Sequence, residues 1–147
     1  MLYALDTSIV LRLSQPHHPL NSAVKQSIEK LEQNGDEVIV LPQILVEFWA
    51  VATRPVNVNG LGSTIEEAET ELDNLQKLFT LIPENELIFG EWKRIVTQYK
   101  VSGKTTHDVR IAATMQVHKI KHLLTLNAAD FKRHIGITAV TPQEILA

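Results

Sequence analysis

Apolar residues fall along the chain in two rhythms: short unbroken runs, and longer stretches in which they return every three or four positions. LYAL (2–5), EVIVLP (37–42), TLIP (80–83), HLLTL (122–126) and GITAV (136–140) are the runs, bounded by polar or turn-forming residues. Their length and β-branched content predict strands, LYAL a buried one. Between them the spacing is helical. NSAVKQSIEKLEQNG (21–35) aligns Ala23 or Val24 with Ile28 and Leu31, with Asn21 available as a cap and Gly35 as a stop. QILVEFWAVAT (43–53) is apolar at helical spacing until Arg54 and Pro55 break it. STIEEAETELDNLQKLF (63–79) opens with hydroxyls and acids, then repeats apolar positions at Ile65, Ala68, Leu72, Leu75 and Leu78 or Phe79, an amphipathic helix. NELIFGEWKRIVTQYK (85–100) carries Leu87, Trp92, Ile95, Val96 and Tyr99 on helical spacing through Gly90. VSGKTT then separates it from HDVRIAATMQVHKI (107–120). NAADFKRH (127–134) reads as a short helix, TPQEIL (141–146) as a terminal turn capped by Thr141, and NVNGLGS (57–63) as a loop.

About five strands thus alternate with helices, without an internal repeat or a low-complexity tract. That alternation predicts an α/β protein, a three-layer α/β/α sandwich on a mostly parallel sheet of about five strands. The 147 residues suffice for one domain with a real core, spanning 1–147, and make a second unlikely by size. No stretch approaches the roughly 20 apolar residues of a membrane-spanning helix, so no membrane partner is expected. The start lacks a basic segment followed by an apolar one, and a cytoplasmic location is the expectation. There is no cysteine, which excludes disulfides, thiolate catalysis and cysteine-ligated zinc. A net charge of −3 gives no global attraction to nucleic acid, so any such binding must come from local basic groups or bound cations.

Four acids stand out against this pattern. Asp6 interrupts LYALDTSIVLRL, where an unpaired buried carboxylate costs on the order of several kcal/mol unless it neutralises, pairs or meets a cation. Asp130 follows the strand HLLTL, and both positions lie where an open parallel sheet places its site, beyond the carboxyl ends of strands. Glu47 in ILVEFWAV and Asp108 in DVRIAATM are isolated carboxylates on otherwise apolar helices. If all four point to one sheet edge, they cannot all ionise unless protons or cations intervene. All-oxygen donors suit Mg²⁺ or Mn²⁺. Such ions acidify a water and neutralise charge on a phosphodiester, which points to metal-assisted phosphodiester hydrolysis without a histidine or serine base. Thr7 and Ser8 would then orient Asp6 or a bound water. Plainer roles stand beside these: Asp6, Asp108 and Asp130 as helix caps, and Glu47 facing solvent.

LDTSIV, the acid in ILVEFWAV, the DVRIAA helix and LLTLNAADF together resemble the PIN-domain ribonucleases, and within them the VapC-type toxins of bacterial toxin–antitoxin pairs. The resemblance covers the whole chain. It implies an endoribonuclease whose metal site is Asp6, Glu47, Asp108 and Asp130, with Mg²⁺ or Mn²⁺ as cofactor and RNA, tRNA included, as substrate. It also implies a small antitoxin whose tail occupies the site groove, and a homodimer. Thr125 and Asn127 match segments that orient Asp130 or water. Two departures are visible: Ser8 stands where the family often has asparagine, and Asn127 where some relatives carry another acid.

Other signals carry less. SGKTT lacks the upstream glycine and strand of a phosphate-binding loop, and NGLG lacks the third glycine of a dinucleotide fingerprint. His17 and His18 are neighbours, and His118 and His122 straddle a helix end, poor spacing for zinc. Trp49, Trp92, Phe48 and Phe79 read as core or interface. Arg12, Arg54, Lys104, Arg110, Lys132 and Arg133 lie near the proposed site in sequence; Arg12 and Arg110 are the better candidates for holding phosphate, against the plainer reading of solvated charge. The apolar face of the Ser63 to Phe79 helix reads either as core or as part of a groove for a partner helix. The rival to nuclease action is a PIN-like module that binds RNA or antitoxin with little catalysis. An aspartyl phosphatase is weaker, because Ser8 stands where such a motif has its second acid.

Overall fold

Leu2–Leu5 forms β1, in which Ala4 and Leu5 have no exposed surface, so the strand is covered on both faces. In the computed structural model of the protein, which describes residues 1–131 and 136–147, four more strands lie parallel to it. They are β2 (Glu37–Val40), β3 (Thr80–Leu81), β4 (His122–Leu124) and β5 (Thr138–Val140), in the sheet order β3-β2-β1-β4-β5. Ala4 pairs with Ile39 on one side and Leu123 on the other, and Leu5 pairs with Leu124. The chain therefore builds outward from β1 to one edge, then returns to build the other half. The reversal leaves a crevice at the carboxyl ends of β1 and β4.

Helices α1 (Thr7–Leu13), α2 (Asn21–Gln33), α3 (Pro42–Thr53), α4 (Ile65–Leu78), α5 (Ile88–Gln98), α6 (Thr105–Val117) and α7 (Pro142–Leu146) join and cover the strands, giving the expected α/β fold with a wholly parallel sheet. Leu5, Ile9, Ile39, Ile44, Phe48 and Leu124 belong to the main core, and a smaller cluster joins Ile88 and Ile95 of α5 to Val109 and Ala113 of α6. Phe48 and Phe79 are core residues, while Trp49 and Trp92 are half-buried at its margins. Among the described residues no helix is long and apolar enough to cross a membrane.

Several local expectations need correction. Asn21 does not cap α2: it is the first helical residue, buried, and its Nδ2 donates to the Arg12 carbonyl 2.8 Å away, tying α2 to α1. On α4 the buried stripe is Ala68, Leu75 and Phe79 with Leu72 beside them, whereas Ile65 and Leu78 sit at its flanks, exposed, because a 3.6-residue repeat drifts off a strict spacing of three. On α5 it is Ile88 that turns inward; Leu87 precedes the first helical turn and is exposed. The segment NAADFKRH contains a 3₁₀ turn over Ala128–Phe131, and its residues 132–134 lie outside the described residues. The terminal cap does form, with Thr141 Oγ1 accepting from the Glu144 amide at 3.2 Å.

The 57–63 loop, which includes part of a 3₁₀ turn over Val56–Val58, is folded back on α3. Leu61 and Ser63 donate their amides to the carbonyls of Val51 and Ala52 at 3.0 and 2.8 Å, and Gly62 to that of Arg54 at 2.9 Å, so two carbonyls in the helix's last turn and that of its C-cap residue gain partners. Gly60 makes this possible, since a Cβ there would lie 1.8 Å from the Arg54 oxygen. Gly60→Ala is expected to destabilise the protein by about 1–3 kcal/mol, seen as a lower urea midpoint; an unchanged midpoint would mean the loop is not held in this way.

Candidate active site at the carboxyl edge of the sheet

Asp6 leaves β1 in extended conformation at the N-cap position of α1, yet its side chain makes no cap hydrogen bond. It turns across the β1–β4 seam instead. Oδ2 accepts from Thr125 Oγ1 at 2.6 Å and from Ser8 Oγ at 3.1 Å. Each hydroxyl is fixed in turn: the Leu126 amide donates to Ser8 Oγ at 3.1 Å and the Asn127 amide to Thr125 Oγ1 at 3.0 Å. With their oxygens occupied as acceptors, both hydroxyls direct their protons at the carboxylate. Among the described residues Oδ1 has no side-chain donor. Burial, which leaves Asp6 only 7% exposed, pushes its pKa up. The Thr125, Thr7 amide and Ser8 interactions pull it down, the Glu47 charge adds to the rise, and the net shift is upward.

Glu47 faces the same edge from the middle of α3, half-buried, with Oε2 accepting from Thr7 Oγ1 at 2.6 Å and Oε1 from Gln43 Nε2 at 3.0 Å. Asp108 lies in the first turn of α6 and Asp130 in the 3₁₀ turn after β4. With Thr105 and Ala129 these two line a cleft of about 250 Å³. The Asp108 pKa is raised from 3.8 to about 6, first by burial and then by the charges of Asp6, Asp130 and Glu47, against a smaller lowering by His107. The four sequence-predicted acids therefore share one electrostatic neighbourhood. Among the described residues, the ion pairs join the N-terminus to Asp36, Arg94 to Glu91 and Arg110 to Glu84, and none reaches these four.

The supporting groups are arranged differently from expectation. Thr7 holds Glu47 with its hydroxyl, leaving Asp6 to Ser8, and Thr125 holds Asp6 across the sheet rather than Asp130. Asn127 meets Asp130 through its backbone carbonyl, which accepts the Asp130 amide at 3.0 Å. Gln43 was missed by sequence reasoning, although its position four residues before Glu47 on one helix was the available signal. Arg110 Nη1 donates to Gln43 Oε1 at 3.0 Å and Nη2 approaches Glu84 Oε2 at 3.1 Å. Arg12 Nη1 donates to Gln15 Oε1 at 2.5 Å, and its Nε is buried without a partner among the described residues. Arg54 and Lys104 are exposed; Lys132 and Arg133 lie outside the described residues. Three of the histidines weighed for zinc are engaged elsewhere: His18 Nδ1 accepts the Leu20 amide, His118 meets the Pro83 carbonyl, and His122 stacks on Tyr3.

The model of the PIN domain matches residues 3–136. The chain belongs to the PIN domain family. No curated protein sequence matches it. Solved structures do. The VapBC2 complex from Rickettsia felis, bound to a fragment of its promoter DNA, matches at a TM-score of 0.72 and 18% identity over 96% of this chain and 98% of that one. VapBC-1 from nontypeable Haemophilus influenzae matches at 0.71 and 20%, covering 97% and 99%. A toxin–antitoxin complex from Klebsiella pneumoniae matches at 0.64 and 22%, covering 95% and 97%. PIN domains are generally nucleases, and those nucleases generally use divalent metals.

In this PIN domain the donor set is right in kind for a hard cation, four carboxylates at one edge, with burial first and then the charges of the other three raising Asp108. Among the described residues, however, no three acidic or histidine side chains are already converged as a metal cage. Carboxylate repulsion in the metal-free protein also has a thermodynamic consequence. A folded-state pKa of about 6 against an ordinary 3.8 means the folded protein binds the Asp108 proton more tightly than the unfolded chain. The resulting penalty is present in full above about pH 6, is relieved as pH falls from about 6 toward 3.8, and is gone below. Asp108→Asn should therefore melt above wild type at pH 7 and close to it at pH 4. Equal differences at both pH values would contradict the coupling.

Proposed function

We propose that this PIN domain is a metal-dependent endoribonuclease that hydrolyses RNA phosphodiester bonds, and that it is the VapC-type toxin of a toxin–antitoxin pair. The observation that carries the proposal is the placement of four carboxylates at the carboxyl edge of the sheet, Asp6 held by Thr125 and Ser8, Glu47 held by Thr7, and Asp108 with Asp130 lining one cleft. Burial and the charges of Asp6, Asp130 and Glu47 raise the Asp108 pKa accordingly. Asp6, Glu47, Asp108 and Asp130 would hold Mg²⁺ or Mn²⁺, hard cations that favour oxygen donors. When bound, such a cation supplies an acidified water as nucleophile and neutralises charge on the attacked phosphate.

The chain's own residues prepare that chemistry. Thr125 and Ser8 keep the Asp6 carboxylate charged and aimed by donating to one oxygen, and Thr7 does the same for Glu47. Asp108 and Asp130 line the cleft beside them, where a phosphate would approach. A net charge of −3 means that RNA is drawn in by local basic groups, with Arg12 and Arg110 the proposed phosphate contacts. Arg110 is paired with Glu84, so any phosphate contact competes with that carboxylate. Similarity in fold to the Haemophilus VapBC-1 and the Klebsiella toxin–antitoxin complex supports an antitoxin as partner. That the antitoxin is small and the toxin a homodimer follows only from the resemblance to VapC-type toxins.

The test is incubation of antitoxin-free protein with a mixed RNA pool that includes tRNA, in Mg²⁺, Mn²⁺ or chelator. Discrete products are expected with either metal and none with chelator. Asp6→Asn and Asp108→Asn should each lower cleavage by about 100-fold or more, beyond the usual effect of altering a group that only orients a ligand. Retained metal binding without cleavage of any RNA would instead favour a module that binds RNA or antitoxin. Chelator-resistant cleavage would overturn the metal assignment.

A further inference from the structure

Glu47 and Asp108 reach the site from different helices, and those helices pack on different neighbours: α3 chiefly on α1 and α4, α6 chiefly on α5. Their relative position at the site therefore needs a local tie. Gln43, one turn before Glu47, makes it. Its Nε2 donates to Glu47 Oε1 at 3.0 Å and to the carbonyl oxygen of His107, the residue preceding Asp108, also at 3.0 Å. Its Oε1 accepts from Arg110 Nη1 at 3.0 Å, and Arg110 is anchored by Glu84 at 3.1 Å. Among the described residues, two hydrogen bonds link α3 to α6 at this point, and both end on this one amide.

The chemistry fixes the amide's orientation. Two acceptors lie on one side and a guanidinium on the other, so a flipped amide would set its oxygen against a carboxylate and a carbonyl and its NH₂ against a cation. Glutamine is suited to the position because it donates twice and accepts once without charge. A glutamate would add a fifth negative group, and a lysine could not accept from Arg110. We infer that Gln43 is a positioning residue that locks the Glu47 carboxylate in register with the Asp108 helix, presetting the spacing of two cation ligands. The inference rests on the proposed metal site and adds the residue that sets its geometry.

The experiment is titration of Mn²⁺ into the antitoxin-free protein by calorimetry, for wild type, Gln43→Ala and Gln43→Met, each also in a Glu47→Ala background, with melting temperature as the control for folding. Gln43→Met keeps the length of the side chain and removes only its hydrogen bonds. Loss of an outer group that orients a ligand is expected to weaken Mn²⁺ binding by about tenfold in both variants. In the Glu47→Ala background the same changes should add little, because Gln43 acts through Glu47. RNA cleavage should fall at limiting Mn²⁺ and recover at saturation, a shift in the metal requirement rather than in kcat. Wild-type affinity in both Gln43 variants would overturn the inference and leave the metal site standing. An equal loss with and without Glu47 would overturn it too, by showing a general structural role. Absence of Mn²⁺ binding in wild type would overturn the metal site itself, and the inference with it.

Discussion

The hydrogen bond from Thr125 to Asp6, 2.6 Å long, crosses the seam between the two central strands at the point where the sheet order reverses. β1 is otherwise apolar and buried on both faces, so a carboxylate at its end would be expelled or neutralised without a partner. Hydrogen bonds to a charged group are each worth about 1.5–3 kcal/mol, against a desolvation penalty of several kcal/mol for a buried ion. Thr125 and Ser8 therefore offset much of the penalty without removing it, which agrees with the net upward shift of the Asp6 pKa. The fold supplies both donors by topology. The amide of Asp6 donates to the Leu124 carbonyl at 2.9 Å, which brings the residue after β4 directly beside the residue after β1.

Once Asp6 is held there, the other acids acquire meaning from their distance to it. α3 presents Glu47 and α6 presents Asp108 toward the same edge, and Asp130 follows β4. Burial gives this repulsion reach, because a partly dry cleft screens charge less than bulk water does. A protein selected only for stability would replace such a cluster with neutral groups. Under the proposed function a cation would complete the balance, and the supporting hydroxyls and Gln43 already hold the Asp6 and Glu47 carboxylates in place.

Much of this was legible in the sequence. Inner strands buried on both faces leave continuous apolar runs, so LYAL, EVIV and HLL were visible, while the half-exposed edge strand TAV showed only through its β-branched residues. A charged residue beside such a run, or alone on an apolar helix, marks itself. Those two signals located Asp6, Glu47, Asp108 and Asp130. The partners of the hydroxyls were not legible, because Thr7 meets Glu47 across 40 positions and Thr125 meets Asp6 across 119, and those encounters depend on strand order. Asn21 was misread for a related reason: its polar group serves a neighbouring helix end, a tertiary contact that outweighs the local preference for capping. Gln43 carried a local signal, the one-turn spacing from Glu47, but its links to α6 are again tertiary.

Crystals of the antitoxin-free protein soaked in Mn²⁺ at pH 7, with data collected at the manganese edge, provide the most direct measurement. An anomalous peak among the carboxylates of Asp6, Glu47, Asp108 and Asp130, absent when Asp108 is changed to Asn, is the expected result. Density showing those four side chains unchanged and no anomalous signal at millimolar Mn²⁺ would contradict the central claim that their shared charge is there to hold a cation.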